Sequence, residues 1–428
     1  MKKYYLVISA LLFTYIYVAS QPPKREMRAT WIATVGSIDW PKQTSAASQQ
    51  DEMRKMLDSI QALNLNTVFF QVRSRCDAMY NSAYEPWSSD LKIARGATPA
   101  YDPLAFALEE CHKRGLECHA WLNPYRYNNI GAGWTGSNNS PLNYENTHPD
   151  WLLWYSSNVV LDPARPEVRQ QIKNVVGDIV SKYDNLDGIV FDDYFYPYGG
   201  TTNQDAASQS QYLGAWQAGH PGKTVHDWRR DNVNRMIADV YDTIQAVRPY
   251  ITFGVSPFGI WTTTASVAAA EGITLPSGIT GGNMYQEIYC DPVAWLKEGT
   301  VDYISPQLYW KIGGAQDYNT LCTWWANLAN RFGIQFYSSM ALYRYAEDNP
   351  SNVGYYQNVT EFKNQTLKNR SASNDNAPGS VFYNTNAWVY NTNLRSEFRA
   401  AIFQYPALTP AIHWKPAAEQ EPVSFTGV

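Results

Sequence analysis

Cysteine, histidine and charge are all scarce in this 428-residue chain. Its five cysteines, at positions 76, 111, 118, 290 and 322, are scattered and odd in number. That excludes the dense, even pattern of a disulfide scaffold and leaves at least one thiol unpaired within the chain. Cys111 and Cys118 flank the turn at Gly115 and could pair, but two buried thiols on a helix and the following strand are the simpler expectation. The six histidines form no HExxH motif, and no CxxC or clustered His/Cys set accompanies them, so neither a zinc site nor another cofactor is expected. Lys and Arg number 34 against 39 Asp and Glu, a formal charge of −5, which argues against a nucleic-acid partner. Attraction to an anionic polymer would have to be local. With 17% charged and 45% hydrophobic residues, the composition is that of a folded globular protein, not a disordered, collagenous or coiled-coil one.

Long apolar runs are also missing after the N-terminus. There, Met1, Lys2 and Lys3 precede an apolar run over positions 6–18, followed by Ala19, Ser20 and Gln21. At about 13 residues this run is shorter than the roughly 20 needed to span a bilayer, and the small residues suit cleavage before Gln21. Residues 1–20 therefore read as a secretory signal peptide, with an uncleaved anchor as the alternative. A lipid anchor would need a cysteine at the cleavage point, and the first cysteine is Cys76. The expected mature protein is exported to the periplasm or medium and has no membrane span.

What the chain has in excess is aromatic: 16 Trp, 31 Tyr and 15 Phe, more than a core of this size requires. Such a surplus suits a polar ligand with apolar faces, such as a sugar. Short buried runs alternate with amphipathic stretches, the pattern of consecutive βα units. Eight strands are predicted, over 28–34, 67–73, 117–123, 188–195, 251–258, 303–310, 334–342 and 380–384. Between them, Met53, Met56, Leu57, Ile60 and Leu63 recur at helical spacing, as do Val168, Ile172, Val175 and Ile179, and Val233, Met236, Ile237, Val240 and Ile244. Asp102-Pro103, Asp162-Pro163 and Asp291-Pro292 each offer an N-cap followed by a first-turn proline, while Gly115 and Gly299 mark helix ends. Eight such units predict a single α/β domain over 21–414, a (β/α)8 TIM-like barrel, with a doubly wound open sheet as the alternative. Stretches 131–143, 199–222 and 262–282 read as long loops on its active face, and 415–428 as a tail or linker.

In a barrel the functional groups stand at the C-terminal ends of the strands. Those ends carry Gln71 and Arg73 with nearby Asp77; Trp121, Asn123 and Arg126; Asp192, Asp193 and Tyr194; and Gln307, Tyr309 and Trp310. Amides, guanidinium groups and carboxylates recognise hydroxyls by directed hydrogen bonds, and Trp and Tyr faces cover a pyranose ring. Any one of these aromatics could instead cap the barrel core. Asp192 and Asp193 are the sharpest element, because two carboxylates ending an apolar strand are costly to bury unless solvated, hydrogen-bonded or functional. The structural alternative is a loop cap or a pair with Arg73 or Arg126. A glycosidase usually needs two carboxyl groups, and adjacent strand residues point to opposite faces. A partner is therefore expected elsewhere: Asp77, Glu85, Glu287 or Asp291, the last discounted as an N-cap.

Several longer motifs carry a family resemblance. Arg25 to Trp31, Phe70-Gln71-Val72-Arg73 with Asp77-Ala78-Met79-Tyr80, Pro86-Trp87-Ser88, His119 to Arg126, Leu186 to Pro197 and Asp302 to Trp310 together resemble the bacterial glycosyl-hydrolase-like family ten, across positions 25–414. The resemblance implies a TIM-like barrel, export to the cell envelope and, as for characterised relatives, hydrolysis of peptidoglycan glycan strands stripped of their peptides. Asp187 to Tyr194 is also similar to the strand-4 signature of chitinase-type enzymes, which use the substrate's own N-acetyl group as nucleophile. In that register Asp192 matches an inward carboxylate, but Tyr194 replaces the acid Glu and Val190 replaces another Asp.

The function expected is thus an exported O-glycosidase acting on an envelope polysaccharide, most naturally peptidoglycan, with Asp192 and Asp193 catalytic. The remaining strand-end residues would bind sugar. A glycan-binding barrel without hydrolysis is the alternative from another class, and transglycosylation a third.

Overall fold

A computed structural model describes residues 22–129, 143–373 and 378–416. The expected signal segment, most of the 131–143 loop and the tail beyond 416 lie outside the described residues. A small antiparallel sheet of three strands, Arg126–Asn129, Leu152–Trp154 and Asn158–Leu161, stands apart from the barrel. The barrel strands are β1 (Met27–Ile32), β2 (Thr67–Arg73), β3 (Glu117–Leu122), β4 (Gly188–Phe191), β5 (Thr252–Val255), β6 (Tyr303–Ile304), β7 (Gln335–Phe336), β8 (Ser338–Met340) and β9 (Gly379–Phe382). They form one sheet in the order β7-β6-β5-β4-β3-β2-β1-β9-β8, parallel at each pairing. Only Tyr337 separates β7 from β8, so these are two halves of one strand and the sheet closes on itself. Closure makes the TIM-like barrel and excludes the doubly wound sheet, which keeps two free edges.

Helices α1 (Ala46–Ala62), α2 (Pro103–His112), α3 (Pro166–Lys182), α4 (Val225–Val247), α5 (Pro292–Glu298), α6 (Tyr318–Arg331), α7 (Val359–Ala372) and α8 (Thr392–Ala401) follow the strands in turn. The apolar faces read from the sequence of α1, α3 and α4 are the buried ones. Asp102 and Asp291 cap α2 and α5 by accepting from Ala105 N and Ala294 N, and Gly299 ends α5 at φ 65°. Asp162 differs from expectation. The first-turn proline of α3 is Pro166, and Asp162 accepts from Ala164 N inside the preceding turn.

Two cores result from strand alternation. Even-numbered residues of β1, β2 and β3 such as Ile32, Phe70 and Ala120 pack under the helices, whereas Met27, Ala29, Trp31, Phe69, Trp121, Val190, Tyr303, Tyr337 and Val381 fill the barrel. Bulky aromatics fit there because glycines face them. A Cβ on Gly254 would lie 2.1 Å from the Tyr303 ring, and one on Gly379 would lie 2.1 Å from the Tyr337 ring.

Strands β4, β5 and β6 stop earlier than the sequence suggests. Past their ends the chain carries Pro257 and Pro306, which cannot donate to a ladder, and polar side chains that turn inward. The stretch 199–222 is not wholly loop, being helical over Ala206–Ser208, Gln209–Leu213 and Gly214–Gly219, and 262–282 holds the short helix Ala265–Ala270. Lys415, the first residue of the expected tail, pairs with buried Asp302 at 2.9 Å. All five cysteines are buried and free. Among the described residues no helix is long and apolar enough to cross a membrane.

Candidate active site

At the C-terminal end of the barrel the inner core opens into a cavity of about 450 Å³. Its size falls within the roughly 300–1,000 Å³ of small-ligand sites. Strand alternation explains the floor: Trp31 of β1, Gln71 of β2, Trp121 of β3 and Tyr383 just after β9 all continue the inward-facing rows. Trp31 and Trp121 meet edge to face with ring centroids 4.8 Å apart, and Tyr309 stacks on Tyr383 at 6.1 Å.

Both Asp192 and Asp193 line this cavity. Alternation would send one of them to the opposite face, but β4 ends at Phe191, one residue before the pair. Beyond the ladder the backbone is free to turn both carboxyls inward. Asp192 Oδ2 accepts from Trp121 Nε1 at 3.0 Å and from Asn123 Nδ2, and Asn123 Oδ1 accepts from Gln71 Nε2 at 2.6 Å. Gln71 is fixed in turn because its Oε1 accepts from Thr34 N and Val35 N, each at 2.9 Å. Asp193 Oδ2 accepts from the Tyr198 hydroxyl. Arg126 lies with its guanidinium carbon 3.8 Å from the centre of the Tyr194 ring.

Burial dominates the electrostatics. It raises the Asp192 carboxyl to about 6, opposed by the Arg126 charge and the Trp121 hydrogen bond. Burial raises Asp193 to about 7, reinforced by the neighbouring Asp192 charge and opposed by a hydrogen bond from Gln307. Two adjacent carboxyls in unequal surroundings are thus poised so that one can hold a proton while the other is ionised near neutrality.

Of the residues expected from sequence, Gln71, Trp121, Arg126, Asp192, Asp193, Tyr194, Gln307 and Tyr309 line the cavity, and Asn123 lies directly behind Asp192. Three do not. Arg73 is buried elsewhere in a two-bonded pair with Glu85, both contacts 2.7 Å, because a register shift between Gln71 and Arg73 turns it out of the inward row. Asp77 is buried against Arg95 at 3.1 Å. Trp310 packs its edge on Phe258 beside the site. The proposed second carboxylates fail likewise: Glu85 is held by Arg73 and the Tyr144 hydroxyl, Glu287 by Asn283 N, and Asp291 by Trp261 and its helix. Among the described residues, the cavity is lined by no carboxylate other than Asp192 and Asp193. The sequence reading missed Trp31, Arg75 and Tyr383. Applying the strand-end rule to β1 and β9 as well would have found the two aromatics.

The model of the family described as glycosyl hydrolase-like 10 matches residues 26–356, which include every residue just named on the cavity floor except Tyr383. The chain belongs to that family. It is a glycoside hydrolase, and a relative from Bacillus subtilis (strain 168), glycosyl hydrolase YngK, is 36% identical over 417 residues, covering 96% of this chain and 78% of that protein. Glycosyl hydrolase DigH of Escherichia coli (strain K12) is 37% identical over 351 residues, covering 78% and 76%. The catalytic domain of a β-amylase from Paenibacillus polymyxa shares the fold, with a TM-score of 0.54 at 10% identity over 90% of this chain and 99% of that one. This hydrolase also has a larger cavity, about 590 Å³, at the opposite end of its barrel, lined by Met27, Glu117, His119, Tyr303 and Tyr337. Those residues begin or fill the strands, the end of a barrel concerned with stability, and neither Asp192 nor Asp193 reaches it.

Proposed function

We propose that this hydrolase is exported and cleaves the O-glycosidic bonds of a cell-envelope polysaccharide, peptidoglycan glycan strands above all, with Asp193 as general acid. The observation that carries the proposal is the Asp192/Asp193 pair, brought into one cavity with carboxyls raised to about 6 and about 7. Asp193, the more strongly raised, is the group that is protonated near neutrality and can protonate the leaving oxygen. Asp192, gripped through Oδ2 by Trp121 and Asn123, is the fixed anion beside the oxocarbenium-like centre. Its Oδ1 accepts a long 3.5 Å contact from Tyr194 N, which leaves room on that oxygen for the sugar or for an acetamido group on it. Trp31, Trp121, Tyr309 and Tyr383 supply the apolar walls a pyranose needs. The envelope substrate is further supported by the N-terminal signal pattern and by the family motifs.

The test is reducing-end release from purified peptidoglycan, intact and amidase-stripped. The mature protein is expected to release ends, preferentially from stripped glycan, and the Asp192→Asn/Asp193→Asn variant none. Full activity in that double variant would overturn the assignment. Export is checked by mass analysis of the secreted or periplasmic protein, with Gln21 as the expected first residue.

A further inference from the structure

The cavity does not end at the catalytic pair. A smaller recess of about 60 Å³, walled by Asn158, Val160 and Tyr196 to Tyr198, shares Arg126 and Tyr194 with it. Both spaces are therefore walled in part by the same two side chains, and a polymer occupying both would lie against them. Arg126 is half-buried there. Among the described residues no carboxylate forms an ion pair with its guanidinium, although its charge acts on Asp192 and Asp193, whereas the buried Arg73, Arg95 and Arg229 each grip one at 2.7 to 3.1 Å. Arg75, which also lines the main cavity, is already held by Asp90 at 2.6 Å. The Tyr194 ring covers one face of the Arg126 guanidinium and its hydroxyl takes a hydrogen bond from it, so the remaining in-plane N–H groups are the part left for a ligand. A half-buried guanidinium fixed in orientation, whose fork grips no carboxylate, is a ready site for one, which matches the fork with two parallel hydrogen bonds.

We propose that Arg126 is a specificity residue that binds a free carboxylate carried by the sugar next to the scissile bond. The proposal rests on the glycan-cleaving function above and gives its substrate preference a physical cause. Stripping a peptide from a glycan strand frees the carboxylate of the lactyl ether. An attached peptide would present an uncharged amide at the same place.

The test compares short peptide-free glycan strands with the same strands after carbodiimide amidation of their carboxylates. Binding is measured by calorimetry on an Asp193→Asn background, so that turnover does not interfere. The acid form is expected to bind at least about tenfold more tightly than the amide, and Arg126→Gln to bring that ratio close to one. Arg126→Lys, which keeps the charge but not the fork, should retain part of it. If Arg126 instead serves only to position Asp192 and Asp193, Arg126→Gln will weaken both ligands equally and leave the ratio intact, which overturns the proposal. An acid-to-amide ratio near one in the Asp193→Asn protein overturns it too. Reducing-end release by wild-type protein, followed separately, reports whether the parent function holds.

Discussion

At Asp193 and Asp192, burial works against ionisation, and activity should follow. On the proposed mechanism Asp192 works charged and Asp193 protonated, so kcat/KM is expected to fall as pH drops below about 6 and as it rises above about 7. The two limbs belong to the coupled pair, and a pH profile of glycan cleavage checks them. Asp193→Asn alone should lower kcat by about 10²- to 10⁴-fold, the usual contribution of a general acid. Stability gives a second readout with the opposite sign. The carboxyl of Asp193 is raised above its unfolded value, so the stability it contributes is full below about pH 4 and is lost as pH rises through about 7. Asp193→Asn should therefore gain on the wild type between pH 4 and pH 8, by on the order of 2–4 kcal/mol. Urea unfolding at the two pH values measures the gain, and an unchanged difference would count against the buried carboxyl as described.

Strand β2 shows how one irregularity divides binding from structure. Gln71 reaches the cavity, but the register shift that follows sends Arg73 into a dry pair with Glu85 and onto the carbonyl of Pro124 at 3.0 Å. It thereby ties the β2 and β3 loops together beneath the site. Removing one member of a buried ion pair strands the other charge, so Arg73→Met is expected to cost about 3–5 kcal/mol in denaturant unfolding. Because Arg73 does not line the cavity, its role is read in stability first. Arg126 is the reverse case: it begins the short strand Arg126–Asn129, which pairs antiparallel with Asn158–Leu161, and its side chain lines the cavity.

At the scale of the whole barrel, residue size decides what fills the interior between the cavities at its two ends. Glycines at positions 254 and 379 let Tyr303 and Tyr337 cross the interior below the cavity floor. Gly254→Ala would set a methyl 2.1 Å from an aromatic ring on a closed, inflexible sheet. Overpacking of this kind typically costs about 1–3 kcal/mol, and here the thermal midpoint should drop while the unfolding transition stays cooperative. The C-terminal segment lines the cavity at the other end, where Trp414 and Lys415 both reach buried Asp302 at 2.8 and 2.9 Å. Lys415→Ala should lower stability by about 1–3 kcal/mol, since Asp302 keeps its bond from Phe253 N and loses a charged one.

The sequence by itself determined the eight βα units, because periodicities of two and 3.6 and Asp-Pro punctuation are local properties of the chain. It also determined the family and placed the Asp192/Asp193 pair at a strand end. It could not decide that both carboxyls share one cavity, since that depends on β4 stopping at Phe191 rather than running to 195. Nor could it separate Arg126, which faces the cleft, from Arg73, which is spent on Glu85, because a strand's facing beyond a bulge is set by its neighbours in the sheet. Closure of the barrel brings residues as distant as Trp31 and Tyr383 to one floor. That convergence is a property of long-range strand pairing, which only the tertiary structure supplies.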